Sequence, residues 1–178
     1  AKYWANLGNS YQTIGDNGEA MTSFETAVEK DPRNTSAYIS MARIWTKAKQ
    51  DSLAIPLLEK AIELSPDDAQ PYKYLIELYI KNGKYAKVTP LLDKYVSLSG
   101  DDVDAKVRLV KFLTFQAKDY DRAILEGEKL LETNPEQYTL HRWLAWAYAE
   151  KGEFQHSYDH SQQLFEELGK KEDRAVFP

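Results

Sequence analysis

The chain has 178 residues, 43% of them hydrophobic and 29% charged, with a formal net charge of −5 at pH 7. That is too apolar for a disordered chain and supplies no basic excess for nucleic acid or an anionic membrane; no apolar run approaches the ~18 residues of a bilayer span. Cysteine is absent, which excludes disulfides, thiolate metal sites and a cysteine nucleophile.

Helix-breaking residues recur along the chain at a fixed interval. Pro32, Pro66, Gly100, Pro135 and Gly169 stand 34, 34, 35 and 34 residues apart. Gly15, Lys49, Gly83, Lys118 and Gly152 keep the same steps, as do Ala20, Ala54, Val88, Ala123 and Ser157. Three series in one register divide residues 1–169 into five units, 1–34, 35–68, 69–102, 103–137 and 138–169, and leave 170–178 as a tail or linker.

The first helix of each unit follows from apolar residues at helical spacing. In the first unit these are Trp4, Leu7, Gly8 and Tyr11, and in the second Tyr38, Met41, Ala42 and Trp45. Tyr72, Leu75, Ile76 and Tyr79 continue the pattern, then Leu109, Val110 and Leu113, then Leu144, Ala145 and Tyr148. Gly8, Ala42 and Ala145 let a neighbouring helix approach closely, and the aromatics fill the space beside them. Pro56 and Pro90 stand early in the second helices of units two and three, which predicts a late start or slight bend there. The fourth unit is one residue longer, and its register places the extra residue between Leu113 and Lys118. The last helix, about Gln155 to Leu168, carries His156, Ser157, Asp159, His160, Ser161, Gln162 and Gln163 and reads as a polar end to the stack. Lys170 to Pro178 is charged, then apolar at Val176 and Phe177. Ala1, which is not Met, is already position one of a full unit, so the expectation is an excised or processed chain preceded by more repeats or another domain.

The first unit resembles the tetratricopeptide repeat family almost position for position. Trp4, Leu7, Gly8, Tyr11, Gly15, Ala20, Phe24, Ala27 and Pro32 stand where that pattern expects them, and the resemblance extends from Ala1 to about Gly169. It implies an all-α fold, a right-handed superhelical α-solenoid of five helix–turn–helix repeats with a concave groove. Gly127 replaces the aromatic usual in the second helix, which predicts looser packing in the fourth unit.

Catalysis finds little support. His156 and His160, four apart, could meet one metal ion on a helix face, but no third ligand is evident and a solvated polar cap is the simpler reading. His141 reads as a surface or groove residue. Glu25, Glu29, Glu59, Glu63, Glu126 and Glu132 are spaced as a solvated helix face. There is no glycine-rich phosphate loop and no nucleophile motif. The sequence therefore points to no enzyme, no cofactor and no metal.

In the family, positions 2, 5, 6, 9, 12 and 13 of each repeat face the groove. Carried across, they hold Lys2, Arg43, Lys47, Lys73, Lys81, Arg108, Lys111 and Arg142 against Glu77, Asp104 and Glu150, a basic excess on a net acidic chain. Tyr74, Phe115, Trp143 and Trp146 share those positions. The resemblance thus implies partner binding by Arg43, Lys47, Lys73, Tyr74, Arg108, Lys111, Arg142, Trp143 and Trp146. Trp143 either faces the groove or packs beneath the fifth repeat beside Leu144. The partner is expected to be a protein or peptide, acidic or presenting a C-terminal carboxylate. Chaperone-tail binding is not expected: Asn9 and Lys73 match that clamp, but Ala5, Ser40 and Glu77 do not. The alternative is a structural spacer or self-association module of a larger protein. Compartment is left open.

Overall fold

The computed structural model describes the backbone of residues 1–176 and the side chains of residues 1–166. Ten α-helices lie among the described residues, with no strand. The chain divides into two compact units, Ala1–Lys84 and Tyr85–Pro178. The first holds α1 (Lys2–Ile14), α2 (Asn17–Lys30), α3 (Thr35–Lys47), α4 (Asp51–Leu64) and α5 (Ala69–Lys81). The second holds α6 (Val88–Leu98), α7 (Val103–Phe112), α8 (Tyr120–Thr133), α9 (Tyr138–Glu150) and α10 (Phe154–Val176). Within the units α1 packs on α2, α3 on α4, α7 on α8 and α9 on α10.

Short polar side chains start the helices. Asp16, Asn34, Asp68, Asp102 and Asp119 each accept a hydrogen bond from a backbone N–H of the first turn of the helix that follows. Such a cap is typically worth about 1 kcal/mol. The hairpin turns explain one of the sequence series outright. Gly15, Lys49, Gly83, Lys118 and Gly152 all adopt positive φ, between 55° and 85°. The chain reverses through the left-handed region at each of these positions, where glycine alone is unstrained.

The core of the first unit gathers Ala5, Ala20, Phe24, Ala27, Ala37, Met41 and Ile44, with Trp4, Tyr11, Met21, Val28 and Leu57 packed against them. In the second unit Val110, Leu130, Leu131, Leu140, Trp143 and Leu144 form the centre. Gly8 permits the Phe24 ring to lie where a Cβ would be 2.7 Å from it. Gly127 does the same for Leu144, whose Cδ2 would stand 2.7 Å from an added Cβ. The expected looseness at Gly127 is therefore corrected: the missing aromatic is replaced by a leucine reaching across from α9.

The two prolines behave differently. Before Pro90 the chain makes a 3-10 turn, Tyr85–Lys87, and α6 begins only at Val88, a late start. Pro56 instead lies inside a continuous α4, where the single hydrogen bond it removes does not stop the helix. The extra residue of the fourth unit is absorbed where its register places it, in a π-helical turn at Leu113–Ala117. Helix α10 runs to Val176, past the Leu168 at which the sequence places its end. The side chain of Val176, and Phe177 and Pro178, lie outside the described part.

Candidate partner-binding surfaces

In the first unit side chains of α3 and α5 meet in a cleft of about 190 Å³ lined by Arg43, Thr46, Lys47, Tyr74, Glu77 and buried Leu78. Helical spacing puts Arg43 and Lys47 on one face of α3, four residues apart. Both are exposed, whereas Lys73 and Tyr74 on α5 are half-buried. The Arg43 guanidinium lies over the Tyr74 ring, 5.8 Å from its centroid, a cation–π contact that orients the arginine. Lys81 is placed differently from its neighbours. Its Nζ is 2.7 Å from the Asp51 carboxylate at the start of α4, and the Asn82 amide donates to the same carboxylate. Those bonds hold the Asp51 carboxyl below its usual value, that from Lys81 most strongly.

In the second unit Arg108 and Lys111 on α7 and Arg142 on α9 are exposed. Next to them stands an aromatic cluster. Phe115 meets Trp143 edge-on at 6.2 Å between centroids and Trp146 at 6.3 Å with a 48° tilt. Trp146 is 53% exposed and Phe115 39%, but Trp143 is only 8% exposed. Of the two readings of Trp143, the structure takes the packed one: it belongs to the core with Leu140 and Leu144 and supports Phe115 from below.

Two of the three histidines depart from their sequence reading. His141, read as a surface or groove residue, is buried, and its Nδ1 lies 2.9 Å from Nδ1 of His160. His160 is buried too, its Nε2 2.8 Å from the Glu128 carboxylate, which also accepts a hydrogen bond from the Tyr148 hydroxyl at 2.9 Å. His156 stacks on Tyr148 and pairs with Glu153. The solvated-cap reading thus fails for His160, which helps to tie α8, α9 and α10 together. Among the described residues no group of three or more His, Asp or Glu side chains is placed to hold a metal ion. Residues 141 and 160 are 19 apart, and only the docking of α10 on α9 brings them together, so no local sequence signal revealed them.

The last helix also differs from its polar reading. Phe154, Tyr158 and Phe165 are exposed on α10, while Ser157 faces inward and donates to the Ala145 carbonyl at 2.8 Å.

Paired helices at a 34-residue period, joined through left-handed turns and packed on small residues, define an all-α helical-repeat protein. A family model for the tetratricopeptide repeat matches residues 6–69 and 113–156. The chain belongs to that family. Among solved structures, one of MamA aligns over 99% of this chain and 94% of its own at 20% identity, with a TM-score of 0.78. Another MamA structure covers 94% and 97% at 20% identity and a TM-score of 0.74. YrrB, described as a tetratricopeptide protein with an unusual peptide-binding site, covers 92% and 84% at 17% identity and a TM-score of 0.76. At these identities the likeness is one of fold. No curated protein matches the chain by sequence.

Proposed function

We propose that this chain is a protein–protein interaction module whose first helices receive an acidic peptide or protein segment. The observation that carries the reading is the chemistry of those helices outside the cores: Arg43 and Lys47 in the first unit, and Arg108, Lys111 and Arg142 in the second, are all exposed on a chain with net charge −5. A protein that concentrates cations on one set of helices while its total is acidic attracts acidic partners by local field rather than by bulk charge. Tyr74 and Trp146 add the apolar contact that charge alone lacks, and arginine and aromatic side chains dominate binding hot spots. YrrB, with its peptide-binding site, offers a precedent on the same fold.

Charge reversal tests this. Arg43→Glu, Lys73→Glu and Lys111→Glu combined should abolish most binding of a blocked, fluorescein-labelled (Asp-Glu-Gly)4 peptide at low salt. Added salt should weaken the wild-type complex, since surface charges are screened beyond ~8 Å at physiological ionic strength. Unchanged affinity in the triple variant would refute the reading. The alternative, a spacer or self-associating module, has the exposed Phe154, Tyr158 and Phe165 of α10 in its favour. Light scattering separates the two, because a stable oligomer that dissociates in a Tyr158→Lys/Phe165→Lys variant would favour association.

A further inference from the structure

We infer that the single-residue insertion of the fourth repeat builds an aromatic anchor site in the second unit, and that it takes a planar side chain carried by an acidic segment. The inference rests on the acidic-partner reading above and adds to it a side-chain class and a place.

The repeat itself supplies the control. Four hairpins close with a backbone N–H bonding a carbonyl five residues back: Asp16 to Tyr11, Gln50 to Trp45, Lys84 to Tyr79 and Glu153 to Tyr148. In the fourth repeat the corresponding bond spans six residues, from Asp119 N to the Leu113 carbonyl at 2.9 Å. The extra residue widens the last turn of the helix into the π-turn Leu113–Ala117. A wider turn advances less around the axis per residue, so a side chain within it points away from its α-helical direction. Turns of this kind are rare and occur frequently at functional sites.

Phe115 stands inside that turn. The residues at the same place in the other repeats are Thr13, Lys47, Lys81 and Glu150, all polar. The π-turn sets the Phe115 ring against the edge of buried Trp143 and beside exposed Trp146. Trp143 fixes one side of Phe115, so the ring is held in place before any partner arrives, which lowers the ordering cost of binding. Phe115 and Trp146 are tilted by 48° and leave their remaining surface open to solvent. A third planar ring can contact both at the offset or edge-on geometry that aromatic pairs prefer.

Charge says what carries that ring. Lys111 precedes Phe115 and Arg142 precedes Trp146 by four residues, so two exposed cations lie toward the N-terminal side of the residues that form the shelf. On the other side, Glu150 follows Trp146 by one turn and accepts a hydrogen bond from the Tyr120 hydroxyl at 3.3 Å. The order of cations, rings and carboxylate fits a segment whose acidic residues lie to one side of a Phe, Tyr or Trp.

The test uses the full chain and blocked, fluorescein-labelled peptides: Gly-Asp-Asp-Gly-Phe-Gly-Ser, the same with Ala for Phe, and the same with Asn for both Asp. On the wild type the Phe→Ala change should weaken binding about ten-fold, equivalent to ~1.4 kcal/mol. On Trp146→Ala the two acidic peptides should bind alike, within about two-fold. Deleting Ala117, which lies outside the shelf, should return the turn to α-helical form and erase the preference for Phe. If the deletion unfolds the chain, the half-exposed Trp146 still carries the test. Equal binding of the Phe and Ala peptides to the wild type would overturn the anchor while leaving the acidic-partner reading intact, provided charge reversal still weakens both. Tight, Trp146-dependent binding of the Asn peptide would keep the anchor and overturn the charge reading. No binding of any peptide would overturn both.

Discussion

Gly127→Ala is the sharpest test of how the second unit is packed. In a solvent-facing helix the change is favourable, by about 0.8–1 kcal/mol of helix propensity. Here the new methyl would lie 2.7 Å from Cδ2, 3.2 Å from Cγ and 3.4 Å from Cδ1 of Leu144. Leu144 is fully buried among Val110, Leu130, Leu140 and Trp143, so it has little room to turn away. Overpacking of this kind costs roughly 1–3 kcal/mol. After the propensity gain, the expected outcome is a net loss of up to about 2 kcal/mol, read as the shift of a denaturant midpoint followed by circular dichroism. Leu144→Val removes a methylene and by itself should cost about 1 kcal/mol. In the Gly127→Ala background it makes the space the methyl needs, so the double variant should lose less than the sum of the two. A Gly127→Ala protein as stable as wild type, with additive behaviour in the double variant, would refute the close Gly127–Leu144 approach.

Other outcomes follow from the turns and the buried polar contacts. Lys49→Gly and Lys118→Gly should each stabilise the chain by about 0.5–1 kcal/mol, because relief of left-handed strain exceeds the entropy glycine adds to the unfolded chain; Gly15→Ala and Gly83→Ala should destabilise it in the same melts. The Glu128 carboxyl is held below its ordinary 4.5 by the hydrogen bond from His160, against the upward push of burial, and by that from Tyr148. A depressed carboxyl stabilises the fold above its unfolded value and loses that contribution as pH falls through its folded one. The penalty of Glu128→Gln should accordingly be full above pH 4.5 and shrink below it in urea melts run across pH. The phenols of Tyr79 and Tyr148 are pushed up to about 12, by burial first and then by hydrogen bonds to Glu59 and Glu128. An alkaline titration of tyrosinate absorbance should show a late step, and Tyr79→Phe should remove part of it.

Much of the fold was legible because repetition amplifies weak signals. One glycine is poor evidence for a turn, but Gly15, Gly83 and Gly152 in register with Lys49 and Lys118 identify the left-handed positions even where the residue is lysine. The insertion between Leu113 and Lys118 was legible for the same reason, since a period that slips by one must slip somewhere. Its form was not, because a π-turn depends on whether widening the turn costs less than breaking it. Gly127 was misread because its partner comes from the next helix, and a repeat pattern says nothing of which neighbour fills a gap. His141 and His160 were missed for a similar reason: their contact depends on how α10 docks. At the candidate surfaces, residue type predicted exposure well for Arg43, Lys47, Arg142 and Trp146. Lys81 is exposed as well, but an aspartate holds it across the hairpin junction, which residue type does not reveal, and Trp143 was left undecided because adjacent helical positions differ only by rotation.

The central claim, that partners are received on the first helix of each hairpin, is tested most directly by amide chemical-shift mapping of the full chain. An acidic peptide containing one Phe is titrated in at low salt. The account predicts the largest shifts in α3, α5, α7 and α9, around Arg43, Lys73, Lys111 and Arg142 and at the Trp146 indole, all fading as salt is added. Shifts concentrated on the second helices α2, α4, α6 and α8, with Arg43 and Trp146 unmoved, would contradict it.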